Sequence, residues 1–209
     1  MPRIRPFEDH ADRYEDWFER HDADYRSELQ AVARFVPREG TGVEIGAGTG
    51  RFASPLGIRF GVEPAERMAR IAADRGIRIV RGAGEELPVR SGAFDFAVLV
   101  TTLCFLDDPN RAFSEIRRIL KPGGCVVVGF VDGESPLGIR YRQASRTSRF
   151  YAEADFYAVP AVLEFLAAAG FRDAETVQTL FAPAGENRQV EPVRTGWGEG
   201  SFVVIRAVK

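Results

Sequence analysis

The sequence predicts a doubly wound α/β fold, a mostly parallel sheet with helices on both faces. Three observations predict it. From Gly42 onward, short apolar runs rich in β-branched residues alternate with amphipathic helical stretches. The run Cys125 to Val131 is nearly continuous in apolar residues, as a central strand covered on both faces requires. A glycine-rich turn, Gly46 to Gly50, follows the first apolar run at the point where a strand gives way to a helix.

The elements follow in order. Residues 1–40 read as a helical N-terminal cap. Tyr14, Trp17, Phe18 and His21 make one helical stripe; after Asp24, a competent N-cap, Tyr25, Leu29, Val32 and Val36 make a second, closed by Pro37 and Gly40. Residues 41–132 form the core. Strands are expected over 42–46, 58–62, 77–80 and 94–100, with a short helix over 51–56 and a longer one over 64–75 between them. The helix over 109–120 is the best marked, with Asp108 as N-cap, Pro109 at the first helical position and Phe113, Ile116, Ile119 and Leu120 facing inward. Lys121-Pro122-Gly123-Gly124 stops it. Residues 133–158 break the rhythm with Gly, Ser and Pro and with four arginines, and read as an excursion over the sheet. In the last section, 159–209, a helix over 160–169 ends at Gly170. Strands over 174–181 and 202–208 are joined by a loop too long for a tight hairpin. The whole chain reads as one domain.

The 209 residues are 45% hydrophobic, ample for a buried core, and Lys plus Arg (28) nearly balances Asp plus Glu (30). A formal charge of -2 gives no global attraction to nucleic acid or an anionic membrane. No apolar stretch approaches the roughly 20 residues that span a bilayer, and the Arg-, Asp- and Glu-rich N-terminus does not resemble an export signal. Cys104 and Cys125 lie in apolar runs without CxxC or Cys/His spacing, so neither a disulfide framework nor a metal site is indicated, and a cytoplasmic location fits. Oligomeric state is open.

The chemistry centres on Val43-Glu44-Ile45-Gly46-Ala47-Gly48-Thr49-Gly50-Arg51. Three glycines at a spacing of two let a ligand approach the backbone closely. A dinucleotide fingerprint needs a further glycine where this chain has Arg51, which weakens a pyrophosphate reading. Glu44 at the strand end would repel phosphate and suits an ammonium or sulfonium. Glu63, in Gly61-Val62-Glu63-Pro64, can accept both hydroxyl protons of a ribose, or cap the helix that follows.

With these residues the sequence resembles the class I S-adenosylmethionine-dependent methyltransferases, in particular the small type 11 group that includes ubiquinone and menaquinone C-methyltransferases. The motifs, in order, are the glycine segment, Glu63, Gly82-Ala83-Gly84-Glu85-Glu86-Leu87-Pro88, Phe94-Asp95 and Ile119-Leu120-Lys121-Pro122-Gly123-Gly124. The resemblance implies a Rossmann-like sheet of seven strands, the last antiparallel. It implies S-adenosyl-L-methionine as cofactor, S-adenosyl-L-homocysteine as product, and a small-molecule methyl acceptor. It also implies a cofactor set: Glu44, Gly46, Ala47, Gly48 and Gly50 at the methionine portion, Glu63 and Pro64 at the ribose, Ala83, Gly84 and Glu85 about the adenine, and Met68 either under the adenine or in the core. Thr101 and Thr102, after the fourth strand, complete it. The group often has Asp after Gly82; here Ala83 stands in that place, leaving Glu85 or backbone groups to meet the adenine.

On the acceptor side, Phe105, Arg140 and Arg146 are candidate contacts, the arginines as an anion-binding wall or a solvated helix face. A sulfonium is already an activated methyl donor, so in-line displacement needs alignment and exclusion of water more than acid-base machinery. Tyr14, on a stripe that packs or folds over the cofactor as a lid, and His21 are the catalytic candidates. A module that binds the cofactor without transferring methyl, or less readily a nucleotide-linked oxidoreductase, are the competing readings.

Overall fold

Alternation along the strands sorts side chains onto two faces. Val43, Ile45, Ala97, Leu99, Val126 and Val128 point into one core, and Phe96, Val98, Val100, Cys125 and Val127 into another. A sheet apolar on both faces must be covered on both, which forces a three-layer arrangement. The structure is a computed structural model and describes residues 4–144, 150–183 and 189–209.

The sheet order is β3-β2-β1-β4-β5-β8-β6-β7, with β1 Gly42–Ile45, β2 Phe60–Val62, β3 Arg78–Val80, β4 Phe94–Val100, β5 Leu120–Val131, β6 Arg172–Thr179, β7 Arg194–Thr195 and β8 Phe202–Val208. The strands from β3 to β5 pair in parallel. β8 runs antiparallel between β5 and β6, and β7 antiparallel on the edge of β6. The α/β fold expected from the sequence is therefore present, and the eighth strand is the two-residue β7. One core is closed by α5 (Pro109–Ile119) and α7 (Val159–Ala168) through Phe113, Ile116, Val162 and Leu166. The other is covered by α3 (Asp22–Ala33) and α4 (Glu66–Asp74), through Val32 and Ala72. Two short helices, α1 (Arg5–Asp9) and α2 (Ala11–Arg20), precede α3, and α6 (Pro136–Ala144) follows β5. Among the described residues no helix is long and apolar enough to cross a membrane.

Several local outcomes differ from the sequence expectation. Asp24 does not cap α3, which begins at Asp22 with His21 as its N-cap, so Asp24 lies within the first helical turn. The helix expected over 51–56 is a series of turns. Pro55 has no N–H and disfavours a helical conformation at Ser54, and the Ala53 N–H is taken by the Glu44 carboxylate (2.9 Å). Residues 121–124 do not separate α5 from the next strand. They bulge out between the pairs Phe94↔Leu120 and Phe96↔Cys125, so the strand begins directly after the helix. Within the excursion at 133–158, a helix, α6, forms with Leu137, Gly138 and Tyr141 on its inner side.

Asp108 caps α5 as expected, its carboxylate accepting from Arg111 N (3.1 Å). Asp108→Ala should lower stability by about 1 kcal/mol, read as a lower urea midpoint at unchanged slope.

Candidate functional site

The parallel strands end at one rim of the sheet, and β1 delivers the glycine segment there. Gly46 N and Ala47 N both donate to Val62 O (2.8 and 3.1 Å), which hooks the turn onto the neighbouring strand. Gly46 takes φ +69°, and a Cβ there would lie 2.3 Å from Thr102 Cγ2. The fit is reciprocal, because Thr102 Oγ1 lies within bonding distance of Gly46 O and Val100 O (3.2 and 3.0 Å). Its neighbour Thr101 holds φ +50°, a conformation a β-branched residue adopts only under constraint; its N–H is tied to Gly129 O (2.8 Å).

The Glu63 carboxylate joins two loops. Oε2 accepts from Gly48 N and Oε1 from Ala65 N, both at 2.8 Å, so the residue serves the glycine turn and the start of α4 together. It is only 6% exposed, and burial lifts its pKa to about 6 against the opposing pull of those two N–H groups. Each oxygen keeps a further lone pair.

A cavity of about 440 Å³, within the usual range for small-molecule sites, opens beside this turn. One flank is Gly46, Gly48, Glu63, Pro64, Met68, Ala83, Gly84 and Glu85. The floor is Thr101, Thr102, Cys104 and Phe105 beyond β4. The other flank is aromatic: Tyr14, Phe18, Phe130, Tyr141, Phe150, Tyr151 and Phe156, joined by Glu28. Glu85 is fastened in place, its Oε1 accepting from Asp107 N (2.8 Å) and its carbonyl from Arg111 Nε (2.8 Å).

The roof is held down by ion pairs. Glu15 on α2 accepts from Arg51 Nε and Nη2 (3.0 and 2.6 Å) and from both Nη atoms of Arg75, while Arg75 Nη1 also donates to Thr49 O (2.5 Å). Burial works against ionisation, but the hydrogen bonds from Arg75 and Arg51 outweigh it and hold Glu15 down to about 2. This fastening sets Tyr14 against the glycine turn, its hydroxyl 3.4 Å from where a Gly48 Cβ would stand. Burial, aided by Glu44 and Glu63, raises the Tyr14 pKa, so the phenol stays protonated and able to donate.

Among the residues singled out from the sequence, the structure brings Tyr14, Gly46, Gly48, Glu63, Pro64, Met68, Ala83, Gly84, Glu85, Thr101, Thr102 and Phe105 to the cavity. The other described candidates lie elsewhere. Glu44, 1% exposed, lies behind the turn holding Ala53 N, and burial pushes its pKa well up; Ala47 and Gly50 are buried inside the turn. His21 ends α2 with its ring stacked on Trp17 and Nδ1 2.9 Å from Trp17 O. Arg140 is exposed on the outer side of α6, because the helical period that turns Leu137 and Tyr141 inward turns Arg140 out. Arg146 lies outside the described residues. The sequence reading passed over Glu28. The signal was present: Glu28 falls on the same helical stripe as Tyr25, Leu29 and Val32, an acid on a face otherwise apolar.

Comparison with known proteins places this geometry. The family described as a methyltransferase domain matches residues 43–128. An uncharacterized protein of Methanocaldococcus jannaschii is 40% identical over 203 residues, 97% of this chain and 98% of that protein. A Geobacter sulfurreducens malonyl-[acyl-carrier protein] O-methyltransferase is 34% identical over 155 residues, 64% of this chain and 56% of its own length. Among solved structures, a Thermotoga maritima protein described as a SAM-dependent methyltransferase, possible histamine N-methyltransferase, superposes with a TM-score of 0.96 at 50% identity, covering 99% of each chain.

The raised Glu63 pKa has a thermodynamic signature. Because the folded value (about 6) exceeds the ordinary 4.5, its contribution to stability is fully present below pH 4.5 and is lost as pH rises through 6. Relative to Glu63→Gln, the wild-type chain should lose about 2 kcal/mol between pH 4.5 and 7.5 in urea unfolding; parallel pH profiles would show that the carboxyl is not perturbed.

Proposed function

The chain belongs to the S-adenosylmethionine-dependent methyltransferases, and from that premise we propose that it transfers methyl to a small-molecule acceptor enclosed in the cavity. S-adenosylmethionine is the cofactor. The observation that carries the proposal is continuity: one cavity runs from the Glu63 rim to the aromatic chamber, so a cofactor and an acceptor have adjoining places in a single continuous space.

The residues at the rim fit the cofactor. Gly48 leaves open the space before the Tyr14 hydroxyl that a Cβ would enter, and Glu63 has acceptor capacity left after its two backbone bonds. In this reading Glu63 holds the ribose hydroxyls, the backbone at Gly46 and Gly48 receives the methionine portion, and Met68 with Ala83, Gly84 and Glu85 borders the adenine. Thr101 and Thr102 form the floor at the turn. Glu44 and Gly50 support the turn from behind.

Bound there, the cofactor supplies a methyl group already activated on a sulfonium. The protein's part is to align the acceptor and exclude water. The aromatic flank does both, since Tyr14, Phe18, Phe150 and Tyr151 present apolar walls beneath a roof that the Glu15 ion pairs fasten over the glycine turn. An acceptor admitted under that roof is small.

Calorimetric titration with S-adenosylhomocysteine, followed by a methyl-release assay over a panel of small metabolites, tests the proposal. Binding with turnover of at least one metabolite is expected; binding without turnover of any would leave a cofactor-binding module. Glu63→Gln should weaken S-adenosylhomocysteine by about tenfold or more, through loss of charge-assisted acceptance. Wild-type affinity should fall as pH drops through about 6, and that dependence should vanish in the variant.

A further inference from the structure

Among the described residues, the carboxylates packed into the structure about the cavity have donors, with the exception of Glu28. Glu15 has two arginines, Glu63 two backbone N–H groups and Glu44 one. Glu28 is as deeply placed, at 5% exposed, and lines the cavity, yet among the described residues no hydrogen bond or ion pair reaches its carboxyl. A polar group buried without a partner is destabilising, and a carboxylate more so, which marks the position as one that a ligand completes.

We propose that the methyl acceptor is a small molecule carrying an ammonium group and that Glu28 is the acceptor-anchoring residue that seats that group, while a different, unprotonated atom of the acceptor takes the methyl as the C–S bond breaks and the sulfonium becomes the thioether. The proposal rests on reading the cavity as the methyl-transfer site.

Three features of the surroundings support it. Glu28 lies on α3, which packs on β5, β6 and β8, while Glu63, Met68 and Ala83 follow β2 and β3 on the far side of β1. The free carboxyl therefore stands on the flank opposite the cofactor rim. Next, the cavity wall that Glu28 shares is aromatic, with Tyr14, Tyr141, Phe150 and Tyr151 on it, and aromatic rings attract an ammonium. Finally, the arginines on the cavity, Arg13 and Arg20, are exposed at its mouth, and among the described residues no buried Lys or Arg on the wall offers an anionic acceptor a partner. Burial, reinforced by Asp24, raises the Glu28 pKa, and an ammonium seated beside the carboxyl would draw it back down.

The test is calorimetry on the full chain with S-adenosylhomocysteine present, titrating 2-phenylethylamine, 1,4-diaminobutane and histamine against their hydroxyl counterparts. At least one amine should bind about tenfold or more tightly than its alcohol, a difference that the charge-assisted bond supplies. Glu28→Gln should abolish that preference while leaving S-adenosylhomocysteine affinity within about threefold. Should the variant fail to fold, the wild-type comparison of amine with alcohol decides. No amine preference, a preference that survives Glu28→Gln, or a variant that loses S-adenosylhomocysteine while keeping the amine would overturn the proposal. Failure of the wild type to bind S-adenosylhomocysteine would instead overturn the reading of the cavity, and the proposal with it.

Discussion

A single buried carboxylate fixes the rim of the sheet. Glu63 draws Gly48 N–H and Ala65 N–H onto its two oxygens, so the turn after β1 and the start of α4 cannot move apart without stranding an acid in the interior. Much else is fitted to that arrangement. Val62 O receives the amides of Gly46 and Ala47, Thr102 fills the space that the absent Gly46 side chain leaves, and Thr101 holds an unfavourable backbone conformation beside it. The cavity is a consequence, a gap that persists because its edges are tied rather than merely packed.

The carboxylates about this rim illustrate three ways of keeping acids in a protein interior. Glu15 is ionised and surrounded by guanidinium groups, which makes it a fastening for α2. Glu63 and Glu44 lean on backbone N–H groups, with burial pushing both pKa values up. Among the described residues nothing supports Glu28 in either way. In the proposed reading this difference separates acids that build the site from one that receives a ligand.

The strand and helix order was legible because it rests on local signals: Asp108 and Pro109 open α5, and the Cys125 to Val131 run admits only a buried strand. What was not legible depended on partners distant in sequence. Nothing local to 51–56 shows that Ala53 N–H belongs to Glu44, and nothing local to 121–124 shows that Phe94 and Phe96 pair across a bulge. The glycine turn, Glu63 and the loop at 82–85 were readable as a group because their spacing encodes one geometry. Glu44 was legible as an acid at a strand end but not as one facing away from the cavity. The aromatic flank and Glu28 come from α2, α3, β5, α6 and residues 150–156, and only the fold brings them together.

In the proposed reading the tied rim is the cofactor's place. A crystal structure of the chain with S-adenosylhomocysteine bound tests it most directly. The ribose hydroxyls are expected on Glu63, the adenine beside Met68 and Ala83, and the sulfur open toward the aromatic chamber. A ligand elsewhere on the molecule, or a rim filled by the protein's own side chains while the ligand is held by other residues, would contradict it.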